Sequence, residues 1–211
     1  MKRQFFTLLL CMTCIFSATI QAEQLTIADL CKGVYSAKRI HGVNPLNDGE
    51  SYSQMSADKT QIVKYSFKNG EQKEVIFDVA TARNVRLSSI DGYIMSPDEK
   101  HILIQTETKP IYRRSFTAVY YLYNIANRTL TPLSANGAEQ SREFSPDGNL
   151  VAFVRDNNLF LIKLLFNNSE SQITKDGQFN AVINGIPDWV NEEEFSSSCS
   201  FDFNADNTMI A

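Results

Sequence analysis

The sequence predicts an all-β protein whose fold is part of a β-propeller, and three observations support this fold class. A short motif ending in aspartate occurs four times in the 211 residues, with its aspartates 40, 49 and 59 residues apart. A short apolar segment of strand type follows each copy, and segments with helical periodicity are scarce. A repeat of roughly 40 to 50 residues with several short strands is typical of propeller blades, which bury their faces against neighbouring blades.

Four turn motifs define the repeat. The copies are Met55-Ser56-Ala57-Asp58, Met95-Ser96-Pro97-Asp98, Phe144-Ser145-Pro146-Asp147 and Phe203-Asn204-Ala205-Asp206. Residues 145–148, which include Gly148 after the third copy, suit the four positions of a type I turn. The alternative is a non-repetitive β-sandwich whose turns are similar by chance. The propeller is favoured because the turn, the strand and the offset between them recur together.

Apolar strands are predicted after each turn and between the turns. Those that follow a turn are residues 62–65, 102–104, 150–153 and 209–211, and those between turns are residues 74–79, 118–123 and 159–162. By analogy with the third repeat, the strand at 209–211 is expected to continue past Ala211. An open propeller of about four blades would leave unpaired backbone groups at its last edge, so we expect this chain to be the N-terminal part of a longer protein.

The N-terminus has the pattern of a secretory signal peptide. Lys2 and Arg3 precede an apolar run over residues 5–16, and small and polar residues lead to an expected cleavage after Ala22. The alternative is a membrane anchor, but the apolar run is shorter than the roughly 20 residues that cross a bilayer. We therefore predict a signal peptide at 1–22, a turn-rich leader segment at 23–50, a partial propeller domain at 51–211, and export to the periplasm or out of the cell.

Composition and charge limit the classes of function. The net charge of −4, with acidic and basic residues interspersed, gives no sign of a nucleic-acid-binding surface, so a small or peptide ligand is expected. Cys31 and Cys199 remain after cleavage of the leader, and the sequence leaves their pairing open. His41 and His101 have no Cys or His partner at ligand spacing, so neither a metal site nor a cofactor is predicted.

One acidic stretch is a candidate binding site. It contains the single Trp of the chain and three consecutive carboxylates, and it reads Asp188-Trp189-Val190-Asn191-Glu192-Glu193-Glu194-Phe195. Asp188 can cap a short helical turn, and an ordinary interpretation is that the acidic side chains offset the helix dipole. A second unusual cluster is Tyr112-Arg113-Arg114-Ser115-Phe116-Thr117-Ala118. If its two arginines lie on a strand, one can reach a pocket while the other stays solvated, or both decorate an exposed sheet.

Both stretches resemble motifs of the dipeptidyl peptidase IV group of the prolyl oligopeptidase family of serine peptidases. The acidic stretch is similar to the D-W-V-Y-E-E-E motif of that group, with Asn191 in place of the usual Tyr. Residues 113–118 are similar to its R-H-S-Y-T-A motif, and with the turns near the start the resemblance covers most of residues 40–211. Prolyl oligopeptidases that act as endopeptidases lack the acidic motif, so its presence here conflicts with an endopeptidase function.

The resemblance implies an eight-bladed propeller followed by an α/β-hydrolase domain, in an enzyme that removes dipeptides after Pro or Ala from free peptide N-termini. It implies that Glu193 and Glu194 bind the N-terminal ammonium of the substrate, and that Arg113 contacts a substrate carbonyl and these glutamates. Glu192 matches the first glutamate of the motif, which has no assigned substrate contact. The expected partners are peptides with a free N-terminus and a C-terminal hydrolase domain, and a homodimer is left open.

The chemistry of the two glutamates agrees with this implied role. A peptide α-amino group has an ordinary pKa of about 7.7 to 8.0, so it is largely cationic at neutral pH and needs acceptors in a dry pocket. No Gly-x-Ser-x-Gly sequence occurs in the 211 residues, so no catalytic residue is predicted and the chain alone should not hydrolyse peptides. The alternative function is a non-catalytic exported propeller that binds a peptide or protein partner through the same face.

Overall fold

A computed structural model of the protein describes residues 25–37 and 42–211. The chain divides into two units, Met1–Ile40 and His41–Ala211. The predicted signal peptide at 1–22 lies outside the described residues. In the first unit the structure describes a short helix, α1 (Ile27–Cys31), whose N-cap Thr26 accepts a hydrogen bond from the Asp29 N–H at 3.1 Å. Across the described ranges, no helix is long and apolar enough to cross a membrane.

Three four-stranded antiparallel sheets make up most of the second unit, and in each sheet the strands are paired in chain order. The first contains β1 (Asn44–Pro45), β2 (Ser51–Met55), β3 (Gln61–Ser66) and β4 (Gln72–Asp78). The second contains β5 (Gly92–Met95), β6 (His101–Pro110), β7 (Phe116–Asn124) and β8 (Thr129–Pro132). The third contains β9 (Gln140–Phe144), β10 (Leu150–Arg155), β11 (Asn158–Lys163) and β12 (Ser169–Gln172). Successive antiparallel meanders are the units of a propeller, which confirms the predicted fold class.

The chain beyond the third sheet begins a fourth antiparallel repeat. A 3₁₀ turn (Leu164–Phe166) lies between β11 and β12, and a second helix, α2 (Trp189–Phe195), follows the third sheet. Phe203 then forms an antiparallel bridge with Ile210, and the backbones of Asp202 and Ala211 exchange hydrogen bonds of 2.9 and 3.0 Å. The four predicted repeats therefore correspond to three sheets and the hairpin of a fourth. The first sheet includes β1, which lies in the part of the chain predicted to be the leader segment.

The repeated motif forms a hydrogen-bonded hairpin turn. In the third copy the Gly148 N–H donates to the Ser145 carbonyl at 2.8 Å, as in a type I turn. The Ser145 hydroxyl donates to Asp147 at 2.6 Å and accepts from the Leu150 N–H at 2.9 Å. Because every one of these partners lies within five residues, the turn can form from local sequence alone.

The other copies repeat the same contacts. Ser56 and Ser96 donate to the aspartate two residues later at 2.6 and 2.7 Å, and Asn204 does so through its amide at 2.6 Å. The residue after each aspartate has a left-handed backbone, with φ between 55° and 72°; the four are Lys59, Glu99, Gly148 and Asn207. Glycine tolerates this conformation best, yet only the third copy has it, so the turn contacts hold the other three residues there.

Alternate residues of β6 pack against different sheets. Ile102 and Ile104 belong to a fully buried cluster with the first sheet, whereas Leu103 faces the third sheet. The first cluster consists of Ile62, Phe77, Ala82, Ile90, Ile102, Ile104, Tyr123 and Leu130; the second consists of Leu103, Ala118, Tyr120, Leu122, Leu133, Val151, Phe153 and Ile162. A third cluster joins β10 to Phe201 and Phe203 of the hairpin. Each sheet is thus stabilised by its neighbours, which explains the continuous apolar runs at residues 102–104 of β6 and 150–154 of β10.

Candidate functional site

The acidic stretch forms the capped helix α2. The Asp188 carboxylate accepts hydrogen bonds from the Asn191 N–H at 2.8 Å and from the Asn191 side-chain amide at 3.1 Å. Ser196 ends the helix with a left-handed backbone, φ 61°. The predicted N-cap is confirmed, and Asn191 contributes a second donor to it. The helix is otherwise exposed: Trp189 and Phe195 are both more than half accessible, and only Glu192 is buried.

The arginine cluster lies in the loop between β6 and β7. Residues 111–114 form bends, and the Ile111 N–H donates to the Ser115 carbonyl at 2.9 Å, which closes the loop. Arg113 and Arg114 therefore do not lie on a strand, so the two alternatives that depended on strand geometry do not apply. The chain reverses direction here to join two paired strands, and strand alternation does not apply to the turning residues.

Glu192 connects the helix to this loop. Its Oε1 accepts hydrogen bonds from the Arg114 N–H at 2.7 Å and from the Ser115 N–H at 2.8 Å, across 78 and 77 residues of sequence. The side chain is only 2% exposed. Burial alone would raise the pKa of Glu192, but hydrogen bonding by Ser115 and by the Arg114 N–H outweighs it, so the pKa lies below its ordinary value. Glu192 is therefore an ionised group whose Oε1 is already occupied by two backbone donors.

Arg113 and Glu193 form an ion pair beside this connection. The Arg113 Nε lies 3.3 Å from the Glu193 Oε2, and the two side chains are 71% and 15% exposed. Because the arginine is largely exposed, the pair contributes on the order of 1 kcal/mol or less to stability. Its importance is positional, because it places a guanidinium against a half-buried carboxylate at the surface of the helix.

Glu194 follows Glu193 in α2 and takes no part in this ion pair. Glu194 is exposed and forms no hydrogen bond or ion pair with a residue that the structure describes. Of the three predicted site residues, the structure brings Arg113 and Glu193 into contact and leaves Glu194 beside them with a free carboxylate.

A sequence profile described as "Dipeptidyl peptidase IV (DPP IV) N-terminal region" matches residues 96–211, which include both the arginine loop and α2. The chain belongs to this family. It is similar to the crystal structure of Porphyromonas gingivalis dipeptidyl peptidase 4, with a TM-score of 0.80 and 37% identity over 90% of this chain and 27% of that one. The predicted resemblance to the dipeptidyl peptidase IV group is confirmed.

Two curated relatives support the same family membership. Human "Prolyl endopeptidase FAP" is 32% identical over 175 residues, which is 81% of this chain and 21% of the relative. "Probable dipeptidyl-aminopeptidase B" of Arthroderma benhamiae is 42% identical over 120 residues, which is 55% of this chain and 13% of the relative. The chain therefore spans only a small part of these relatives, between 13% and 21% of their length.

The environment of α2 includes residues that sequence reasoning did not select. Ser141 donates to the Ser198 carbonyl at 2.6 Å, which ties the segment after the helix to β9. The Arg142 guanidinium lies 5.0 and 5.1 Å from the ring centres of Phe116 and Tyr120. Glu192 belongs to the acidic motif that the sequence indicated. Because three glutamates follow one another there, nothing in the sequence indicated that only Glu192 would be buried.

Among the described residues, no cysteine or histidine side chain contacts Arg113, Glu192 or Glu193. Cys31 and Cys199 are both free thiols, and burial is the main cause that raises the pKa of Cys199. His101 pairs with the side chain of Asn124 at 3.3 Å, and burial lowers its pKa. Over the ranges that the structure describes, no three His, Cys, Asp or Glu side chains are grouped as metal ligands.

Proposed function

We propose that this chain is the N-terminal propeller portion of an exported dipeptidyl peptidase IV-type serine exopeptidase, and that α2 binds the free N-terminus of a peptide substrate. The observation that carries the proposal is the ion pair between Arg113 and Glu193 beside the unpaired carboxylate of Glu194. Family membership supports the reaction class.

The charges suit a substrate ammonium group. In the resting site Arg113 partly neutralises Glu193, while Glu194 remains available as an acceptor. An arriving ammonium can bind both carboxylates, because each offers oxygens that accept charge-assisted hydrogen bonds. Arg113 is then free to rotate toward the first substrate carbonyl, since its side chain is mostly exposed. Attraction between opposite charges thus selects peptides whose N-terminus is unmodified.

Fixing the terminus determines where the peptide is cut. A terminus held at a constant distance from a nucleophile presents one particular peptide bond to it, which is a positional contribution of the entropy-trap kind. In the proposed enzyme that bond follows the second residue, Pro or Ala, and the nucleophile belongs to the hydrolase portion of the protein. Reading the coding sequence downstream of Ala211 tests this directly. A nucleophile elbow followed by Asp and His supports the proposal, and the lack of these residues contradicts it.

Kinetics of the complete protein test the binding role. We expect Glu193→Gln or Glu194→Gln to lower kcat/KM on a free-amino Xaa-Pro chromogenic substrate by at least about tenfold, because a neutral amide replaces a carboxylate facing a cation. Glu74→Gln, on an exposed part of β4, is the matched control and should retain full activity.

The same assay with an N-acetylated substrate separates the alternatives. The proposed exopeptidase cleaves the free-amino peptide and not the acetylated one, and each glutamine variant narrows this difference. Equal cleavage of both substrates would favour an endopeptidase, a result that the name of the human relative makes worth testing. Binding of free-amino peptides without any cleavage would favour the non-catalytic propeller.

A further inference from the structure

We infer that Glu192 is a positioning residue, which holds the loop of Arg113 so that the arginine can serve the ammonium-binding site. The inference rests on the proposed function, and it concerns a glutamate for which the family resemblance implies no substrate contact. The carrying observation is that one buried carboxylate oxygen accepts hydrogen bonds from both backbone N–H groups that follow Arg113.

These bonds fix the backbone of Arg113 itself. The N–H of Arg114 belongs to the same planar peptide group as the carbonyl of Arg113, so holding that N–H orients the plane on one side of the arginine. The Ser115 N–H fixes the next plane, and the Ile111–Ser115 hydrogen bond closes the loop behind it. Arg113 is thereby carried on a short loop that is secured at its base to α2.

The ion pair of Arg113 is too weak to hold the loop by itself. It has a single contact of 3.3 Å, and the arginine side chain is 71% exposed to solvent. A pair whose arginine is this exposed is screened by salt and loses side-chain entropy when it forms. The two contacts of Glu192 are shorter, 2.7 and 2.8 Å, and they end on a carboxylate that is 2% exposed, where hydrogen bonds to a charged group are strong. Glu192 therefore provides the fixed geometry, and Arg113 provides the mobile charge.

A double-mutant cycle tests this division of roles. In the complete protein, Arg113→Ala and Glu192→Ala should each lower kcat/KM on a free-amino Xaa-Pro substrate by about tenfold, mainly through KM. In the Arg113→Ala background, the same Glu192→Ala change should cost less than about twofold, because the residue through which it acts is gone. Glu192→Gln retains an oxygen acceptor at the same position and should restore kcat/KM to within about threefold of wild type.

Glu170→Ala is the matched control for general destabilisation. Glu170 is a partly buried carboxylate of β12 that pairs with Arg155 of β10 and accepts from Ser134 in the connection between β8 and β9, so its contacts do not involve the arginine loop. This substitution should lower the melting temperature without changing the effect of Arg113→Ala. If Glu192→Ala does not yield folded protein, Glu192→Asp replaces it in the cycle, since its shorter side chain weakens both bonds and keeps the charge.

The outcomes separate this inference from the proposed function. Equal losses from Glu192→Ala in both backgrounds would overturn the positioning role, while the Glu193 and Glu194 assays could still support ammonium binding. Failure of Glu192→Gln to restore activity would also overturn it, because the hydrogen-bond acceptor would then not be the important property. An Arg113→Ala variant with wild-type kinetics would remove the role of Arg113 and the inference with it.

Discussion

Replacement of Glu139 by glutamine should change the pH dependence of stability. Glu139 is 1% exposed, and its Oε2 has no hydrogen-bond partner among the described residues. Its backbone pairs with Ala118 at 2.8 and 3.0 Å, so the side chain cannot leave the interior without breaking the contact between the second and third sheets. Burial raises the pKa of Glu139 to about 8; Arg155 and Arg142 lower it and Glu170 raises it.

The sign and the size follow from this pKa. The folded protein holds the Glu139 proton more tightly than the unfolded chain, whose carboxyl has a pKa near 4.5. The stabilisation from protonated Glu139 is therefore complete below pH 4.5 and is lost as the pH rises toward about 8. Each pH unit in this window costs about 1.4 kcal/mol, so the whole window makes a total on the order of 5 kcal/mol at most. Glutamine has nearly the same shape as protonated glutamate but does not titrate, so the Glu139→Gln variant should keep its stability as the pH rises.

The assay compares urea denaturation of the wild type and the Glu139→Gln variant at pH 5, 7 and 9. Titrations of all other groups are shared, so they cancel in the difference between the two free energies of unfolding. We expect near-equal stabilities at pH 5 and a growing advantage for Glu139→Gln at pH 7 and pH 9. The exposed Glu74→Gln variant should follow the wild type throughout. Parallel curves for the wild type and Glu139→Gln would refute the inference that a buried, protonated carboxyl stabilises the sheet contact.

Two further substitutions test the fold. Ser145→Ala removes the hydroxyl that donates to Asp147 and accepts from the Leu150 N–H. We expect the free energy of unfolding to fall by about 1 to 2 kcal/mol, and an unchanged urea midpoint would show that the turn does not need this hydroxyl. Phe153→Ala empties a fully buried site between the second and third sheets and should lower the free energy of unfolding by about 3 to 5 kcal/mol. Phe67→Ala, at a half-exposed position, should lower it by less than about 1 kcal/mol. Similar losses for the two variants would contradict the packing described for Phe153.

The turns and central strands were predictable because their determinants are local or periodic. The turn at Ser145 depends on partners within five residues, and the apolar runs of β3, β6 and β10 follow from burial on both faces. Some edge strands escaped prediction, whereas the edge strand β4 was expected at residues 74–79. β8 (Thr129–Pro132) and β12 (Ser169–Gln172) are partly exposed and mostly polar, so their sequences lack the apolar signal that a buried strand needs. They form because a neighbouring strand offers its backbone for pairing.

In the acidic stretch, some features follow from the local sequence and others depend on the tertiary structure. The capping of α2 by Asp188 is local, so the sequence alone determined that a short helix begins there. The resemblance of the motif indicated Glu193 and Glu194 as a binding pair, and that role stays a prediction. Three adjacent glutamates have the same chemistry, and only contact with a loop 78 residues away makes Glu192 the buried one. Burial and charge pairing depend on which distant groups approach, and these neighbours exist only once the sheets have packed.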